Sequence, residues 1–347
     1  MAGPKKQPVS TGKSKLEEAI EKLDKAYGKG TVLTLDDGIM GDYDVFSTGS
    51  IGFDHIALGT GGFVRGKVYE LMGWEGTGKS TICAHAAAEC QKQGGTVAYI
   101  DGEHAVDKIY FEALGVDISK MLVAQPSNGE EGFQIALELI KTGEIDLIII
   151  DSDSSLMPKK VVDGDVGDSA IGKKAVLNNN AYPKLKTACA DNNVCMIVIS
   201  QFREKIGVMF GNPTVTQGGH ALKFYTDVRI EVSKTLAKDG DETIGNITKI
   251  KVIKNKMGPP FKLCSFTIIY GLGIDKGGEI MDLLNDLELG RKYGSTFTFN
   301  EVKHSLDDFI DLLSEEGFYN EVKQAIVDKL RNKNLVEDES KNQEVGT

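Results

Sequence analysis

Between residues 66 and 201 the chain repeats one pattern: a short, almost purely apolar run, then a stretch with apolar residues at helical spacing. Runs such as Leu147-Ile148-Ile149-Ile150 and Met196-Ile197-Val198-Ile199 suit parallel strands covered on both faces. Strands are expected at 68–72, 96–101, 121–125, 145–151 and 194–201, with helices at 81–90 and 132–141. The segments 225–233, 247–253 and 264–270 alternate apolar and polar residues between turns, which predicts a mixed or antiparallel extension of the sheet. Ahead of this core, Lys15–Tyr27 sets Leu16, Ala19, Ile20, Leu23 and Tyr27 on one helical face. Gly28 and Gly30 stop that helix, and 31–35 reads as a short strand. Beyond 275, helices are expected at 304–316 and 321–332. The predicted fold class is α/β: a mostly parallel central sheet flanked by helices, with an N-terminal helix-strand extension and a small α-rich C-terminal domain. The expected divisions are 1–36, 37–275, 276–335 and a disordered acidic tail at 336–347.

Bulk composition narrows this only slightly. The 347 residues leave room for one large core and a satellite, at about 150 residues per domain. No apolar run approaches the roughly 20 residues of a membrane span. The basic N-terminus MAGPKKQPVSTGKSK has no apolar segment behind it, so no secretory signal is expected and a cytoplasmic location is. Five cysteines, at 83, 90, 189, 195 and 264, form no C-x-x-C pair and read as buried thiols in a reducing compartment. A net charge of −11 argues against a protein that coats DNA with uniformly positive surface, but not against a local basic groove.

The chemistry concentrates at Gly73-Trp74-Glu75-Gly76-Thr77-Gly78-Lys79-Ser80, which fits the phosphate-loop pattern G-x-x-x-x-G-K-[ST] at every fixed position, with a strand before it and a helix after. Glycines bring successive N–H groups to phosphate oxygens, Lys79 supplies a charge for the β- and γ-phosphates, and Ser80 can join a Mg²⁺ shell. Asp151, closing a buried strand, is placed to hold the same Mg²⁺ through water. Glu103 and Asp101 both stand at the end of another strand, and either could polarise a water for attack on the γ-phosphate. Gln201, ending a third, could report the γ-phosphate to the loop that follows. That loop, 202–219, is rich in glycine (Gly207, Gly211, Gly218, Gly219), carries Arg203 and Lys205, and adds Ile206, Val208, Met209 and Phe210. Cations for phosphates and apolar wedges between bases suit single-stranded nucleic acid, with a substrate lid as the alternative. Lys254 and Lys256 read either as a solvated turn or as charges delivered to a phosphate of another subunit.

Taken together, these residues resemble the bacterial RecA recombinase family from about Leu16 to Leu330. The most specific matches are STGSIGFDHIALGTGG at 47–62, IDGEHAVDKIY at 100–110, GEEGFQIALELI at 129–140, KIGVMFGNPTVTQGGHALKFY at 205–225, KVIKNKMGPPF at 251–261 and IIYGLGI at 268–274. The resemblance implies a RecA-type P-loop ATPase core and a helical filament on single-stranded DNA, with ATP and Mg²⁺ between neighbouring subunits. It favours Glu103 as the hydrolytic carboxylate, places Asp107, Tyr110, Tyr270 and Gly271 around the adenine, makes Gln201 the γ-phosphate sensor, and brings Lys254 and Lys256 from the adjacent subunit. DNA loops are implied near 161–172 and 202–218, with Ile171 and Ile206 wedging between base triplets beside Gly172 and Lys173, and Phe224 at the subunit interface. The C-terminal domain would receive homologous duplex DNA, and the family's partners include repressors induced to cleave themselves.

Several positions depart from the family pattern. Trp74 replaces a usual proline, Ser200-Gln201-Phe202 a usual Asn-Gln-Ile, and His220 an asparagine. Val176 and Pro183 occupy arginine positions, for which Lys173 and Lys174 could compensate. The function implied is a DNA-dependent ATPase that pairs and exchanges homologous strands. The alternatives are a ring-forming, helicase-like motor and an ATP-gated coat for single-stranded DNA with little turnover.

Overall fold

A computed structural model of the chain describes residues 14–27, 32, 43–165, 172–204, 214–216 and 220–345, with side chains described as far as Lys333. The chain divides into two units, Met1–Tyr43 and Asp44–Thr347. The first holds α1 (Lys15–Tyr27). Ser14 and Glu17 cap it reciprocally: the Glu17 N–H donates to Ser14 Oγ at 3.2 Å and the Ser14 N–H to Glu17 Oε2 at 2.8 Å, a capping box. Leu16, Leu23 and Tyr27 on this helix are exposed. The strand expected at 31–35 falls, apart from Val32, outside the described residues.

The second unit opens with β1 (Val45–Phe46) paired to β2 (Phe63–Val64), around a π-helical turn at Phe53–Leu58. The alternating core follows: β3 (Val68–Gly73), α2 (Lys79–Lys92), β4 (Val97–Asp101), α3 (Lys108–Ala113), β5 (Met121–Ala124), α4 (Gly129–Lys141), β6 (Leu147–Asp151), α5 (Lys159–Val162), α6 (Lys173–Asp191) and β7 (Cys195–Glu204). Then come β8 (Thr214–Thr216), α7 (Ala221–Tyr225), β9 (Val228–Asp239), β10 (Glu242–Asn255), β11 (Leu263–Ile269) and β12 (Gly273–Ile274). The chain closes with α8 (Lys276–Asp286), β13 (Gly290–Tyr293), β14 (Thr296–Phe299), β15 (Val302–Ser305), α9 (Leu306–Leu312) and α10 (Glu316–Val345).

The central sheet runs β12-β11-β10-β9-β3-β7-β6-β4-β5. From β9 to β5 every neighbour is parallel, and β9 to β12 are antiparallel. The apolar runs have the expected cause. Along β6, Leu147 and Ile149 pack into one core with α2, while Ile148 and Ile150 pack into another with α4 and α6. A strand whose two faces are both covered has no polar face to show. The five cysteines are free thiols.

The C-terminal segment differs from expectation. An antiparallel three-stranded sheet, β13-β14-β15, sits among its helices, and Phe297 and Phe299 from it pack with Phe309, Val322 and Ile326. Asn300 and Glu301 turn the second hairpin at φ 47° and 64°, the left-handed pair a two-residue connection needs. The expected helix at 304–316 is accordingly shortened to α9. The last helix, α10, runs on through the acidic stretch for which no structure was expected. Its Glu, Lys and Gln residues favour helix, and no Gly or Pro interrupts them after Gly317.

Candidate nucleotide site and nucleic-acid loops

The phosphate loop lies between the end of β3 and the start of α2. Gly78 has φ 92°, a conformation that favours glycine, and a Cβ there would also push against the tip of Ile268, 2.5 Å from its Cδ1. Lys79 Nζ turns back into the loop and donates to Gly73 O at 3.1 Å and Trp74 O at 2.7 Å. Burial lowers its pKa, against the pull of Asp151 and Glu103. Ser80 Oγ donates to Asp151 Oδ2 at 2.7 Å, and the same oxygen accepts the Tyr99 hydroxyl at 2.6 Å. Burial raises the Asp151 pKa, while these two hydroxyls oppose the shift.

A cavity of about 280 Å³ opens here, lined by residues 75–81, Glu103, Tyr110, Asp151, Gln201, Asn246, Ile268 and Tyr270. The open N–H groups at the start of α2, beside Lys79, suit phosphate oxygens. The Ser80–Asp151 oxygen pair suits a hard divalent cation. Among the described residues no group of three or more His, Cys, Asp or Glu side chains could hold a metal ion, so a cation at this pair would take its remaining ligands from phosphate and water.

The rival carboxylates separate cleanly. Asp101 is buried, and its oxygens accept from the Ala105 and Val106 N–H groups at 3.1 and 3.3 Å and from Gln125 Nε2 at 2.9 Å. It ties down the turn and does not line the cavity. Glu103 does line it, with Oε1 accepting Ser152 Oγ at 2.5 Å and Gln201 Nε2 at 2.7 Å. A carboxylate and an amide from two different strand ends thus meet beside the phosphate loop.

Other expected residues are spread more widely. Tyr110 and Tyr270 line the cavity; the Tyr110 hydroxyl lies 3.0 Å from Thr81 Oγ1, and the Tyr270 hydroxyl donates to Asn246 Oδ1 at 3.2 Å. Asp107 is the N-cap of α3, accepting from the Ile109 and Tyr110 N–H groups, and neither it nor Gly271 lines the cavity. Trp74 contributes its carbonyl to Lys79, but its side chain lines a neighbouring cavity.

Lys254 and Lys256 sit at the opposite end of the strands from the phosphate loop. Register sets Gly73 beside Val232 and Val232 beside Ile250, whereas Asn255 pairs with Val228, level with Tyr69 at the start of β3. From Ile250 to Lys254 is roughly 13 Å at ~3.3 Å per residue. Lys254 Nζ donates to Lys223 O and Thr226 O at 2.7 and 2.6 Å, and Lys256 lies 3.3 Å from Asp227 Oδ1.

Of the expected DNA-contacting residues, Ile171, Lys205, Ile206, Gly207, Val208, Met209, Phe210, Gly218 and Gly219 lie outside the described residues. Gly172 is the left-handed N-cap of α6, at φ 77°, and Lys173 is half-buried on its first turn. Arg203 is exposed on β7 opposite Val215 of β8, so the expected loop springs from a hairpin base. Phe224 is 71% exposed on α7. Lys174 departs from expectation: it is buried, 3.3 Å from Asp153 Oδ1, and donates to Leu156 O at 2.6 Å. It is used up inside the protein and cannot stand in for a missing surface arginine. Tyr99, Ser152 and Asn246 were not anticipated. Tyr99 hides in an apolar strand and Asn246 comes from the antiparallel extension, whereas Ser152, next to Asp151, carried a usable signal.

A phosphate loop between a strand and a helix of a mostly parallel sheet, with a carboxylate and an amide converging on it from neighbouring strand ends, defines a P-loop nucleotide-binding protein with an extended RecA-like core. The model of the RecA N-terminal domain matches residues 14–275. The chain is 49% identical over 290 residues to protein RecA of Cytophaga hutchinsonii, covering 83% of this chain and 81% of that one. It is 45% identical over 320 residues to protein RecA of Clostridioides difficile, covering 88% and 92%, and 42% identical over 321 residues to that of Bacillus mycoides, covering 90% and 93%. The chain belongs to the RecA family. Among the described residues no helix is long and apolar enough to cross a membrane.

Proposed function

We propose that the chain is a DNA-dependent ATPase of homologous recombination and repair, which assembles head to tail on single-stranded DNA in the cytoplasm and pairs it with homologous duplex DNA. The observation that carries this reading is the position of Glu103: it shares its Oε1 between Ser152 and Gln201, and Gln201 leads directly into the hairpin base of the glycine-rich loop. Nucleotide chemistry and nucleic-acid binding therefore have one strand, β7, in common.

In this reading ATP lies along residues 75–81 with its base toward Tyr110 and Tyr270. Mg²⁺, held by Ser80 and through water by Asp151, neutralises phosphate charge when bound. Lys79 leaves the carbonyls of Gly73 and Trp74 for phosphate oxygens. Glu103 takes the proton of the attacking water, and Gln201, released from Glu103, carries the change to Arg203 and the loop beyond. Lys254 and Lys256 lie too far along the sheet to reach this chain's own phosphates, which supports their delivery to the site of the next subunit. The exposed apolar positions of α1 and Phe224 are assigned to packing between subunits.

The test is ATP turnover with and without single-stranded DNA. A many-fold rise with DNA is expected; a rate indifferent to DNA would return the assignment to a motor or coat of another kind.

A further inference from the structure

Beside the strand pairing of Gly73 with Gln201, an aromatic pair joins the phosphate loop to the base of the DNA-loop hairpin. Trp74, the second residue of the loop, and Phe202, the residue after Gln201, meet edge to face with ring centroids 6.1 Å apart and planes at 72°. Trp74 is 45% exposed, so the loop backbone does not need this contact to bury the indole. Both rings line a second cavity of about 350 Å³, together with Thr214, Val215 and Thr216 of β8. Gln201 and Phe202 are neighbours on one strand and so project to opposite sides: Gln201 into the nucleotide cavity, Phe202 into this one. The backbone of Trp74 is also engaged, since its carbonyl accepts from Lys79 Nζ at 2.7 Å and Thr77 Oγ1 at 2.9 Å. The residue thus holds the phosphate-binding cation on one side and the strand leading to the DNA loop on the other.

Resting on the function proposed above, we propose that Trp74 and Phe202 form a positioning pair that couples the nucleotide site to DNA binding, in parallel with the Gln201–Glu103 hydrogen bond. When Lys79 turns from the Trp74 carbonyl to a phosphate, residue 74 loses a backbone anchor, and the indole reorients against Phe202. Phe202 pairs in register with Thr216, so its movement shifts both strands of the hairpin base. DNA held by the hairpin acts back along the same path, because coupling between two sites is reciprocal.

Trp74 is the only tryptophan, so its emission reports this contact without a label. In the full chain, emission is expected to change on adding a slowly hydrolysed ATP analogue, and again on adding an oligothymidylate. The decisive quantity is the factor by which the analogue tightens oligothymidylate binding. An aromatic pair of ordinary strength carries about two- to tenfold of such a factor. Phe202→Leu and Trp74→Leu should each reduce it by that much, the double variant by no more than either alone, and Phe202→Tyr should restore it. Thermal melts confirm that each variant is folded.

Coupling left intact in Phe202→Leu, or losses that add in the double variant, would overturn the proposal while leaving the ATPase reading standing. If the unaltered protein binds oligothymidylate equally with and without nucleotide, there is no coupling for the pair to carry and the proposal fails, whereas the ATPase reading fails only if DNA leaves turnover unchanged.

Discussion

Replacing Glu103 with Gln tests the centre of the assigned mechanism. The amide oxygen of glutamine can still accept from Ser152 Oγ and Gln201 Nε2, the two donors now shared by Glu103 Oε1. Glu103 is exposed, so folding stability should change by no more than about 0.5 kcal/mol. What disappears is a group able to take a proton from the attacking water. General-base assistance contributes about 10²–10⁴ in rate, which is about 3–5 kcal/mol of barrier at ~1.4 kcal/mol per tenfold. Steady-state phosphate release with saturating single-stranded DNA should therefore fall at least a hundredfold. Nucleotide-dependent binding of a labelled oligonucleotide, followed by anisotropy, should persist. Turnover within tenfold of the unaltered protein would refute the assignment, because no positioned base would then be missing. Loss of nucleotide-dependent DNA binding together with turnover would refute it differently, by making Glu103 part of the switch itself.

Three further perturbations probe the rest of the molecule. A mixture of Lys79→Ala and Lys254→Ala chains, each inactive alone, should recover turnover at roughly a quarter of junctions if the site spans two subunits, since half the chains keep Lys79 and half their neighbours keep Lys254; no recovery in a phosphate-release assay would mean that a single chain supplies both lysines to its site. Burial raises the pKa of Glu279, which accepts from Ser50 and the Gly52 N–H, from 4.5 to about 7. The folded chain then binds a proton that the unfolded chain has lost, so this group's contribution to stability falls as pH rises from about 4.5 through 7, by on the order of 3 kcal/mol. Glu279→Gln should flatten that part of the pH–stability curve, read as the difference in denaturant midpoints from the unaltered protein, and an unchanged slope would show that Glu279 titrates normally. Lys174→Met strips the cation from fully buried Asp153 and should cost about 3–5 kcal/mol in denaturant unfolding; a change below ~1 kcal/mol would mean that Tyr182 and Asn178, which also donate to Asp153, hold the carboxylate unaided.

What could be read in advance followed from how local the determinant is. The phosphate loop and its flanking strand and helix are continuous in sequence, and β3, the loop and α2 fold as that pattern predicts. The buried strands were legible because residues such as Ile148 and Ile149 serve opposite faces of one sheet and leave no polar alternation. The C-terminal sheet was missed although Thr296-Phe297-Thr298-Phe299 alternates plainly, because the helical spacing of the flanking segments outweighed one short strand. Ownership of a charge was hardest to see. Lys173 and Lys174 are adjacent and chemically alike, yet one is only half-buried and the other lies buried against Asp153, about twenty residues earlier. Asp101 and Glu103 are two residues apart, and only the fold shows that one carboxylate is consumed by backbone N–H groups while the other faces the cavity.

The same distinction governs what the two ends of the sheet can do. Strand order puts β3 between β7 and β9, so the phosphate loop has the Gln201 strand on one side and the antiparallel extension on the other. Because β10 reverses direction after β9, its last residues return to the level where β3 begins and take Lys254 with them. In the function proposed above, the nucleotide site and its donor Lys254 lie at opposite ends of the strands, so one chain cannot satisfy itself. Two copies related by a two-fold axis could use both features only through one self-complementary interface that spans the length of a strand. Head-to-tail contact is the arrangement in which every internal copy both gives and receives, and such a contact propagates unless its rotation happens to close a ring. Electron microscopy with single-stranded DNA and a slowly hydrolysed ATP analogue should accordingly show open helical filaments. Closed hexamers under those conditions would contradict the recombinase reading and favour a ring motor built on the same core.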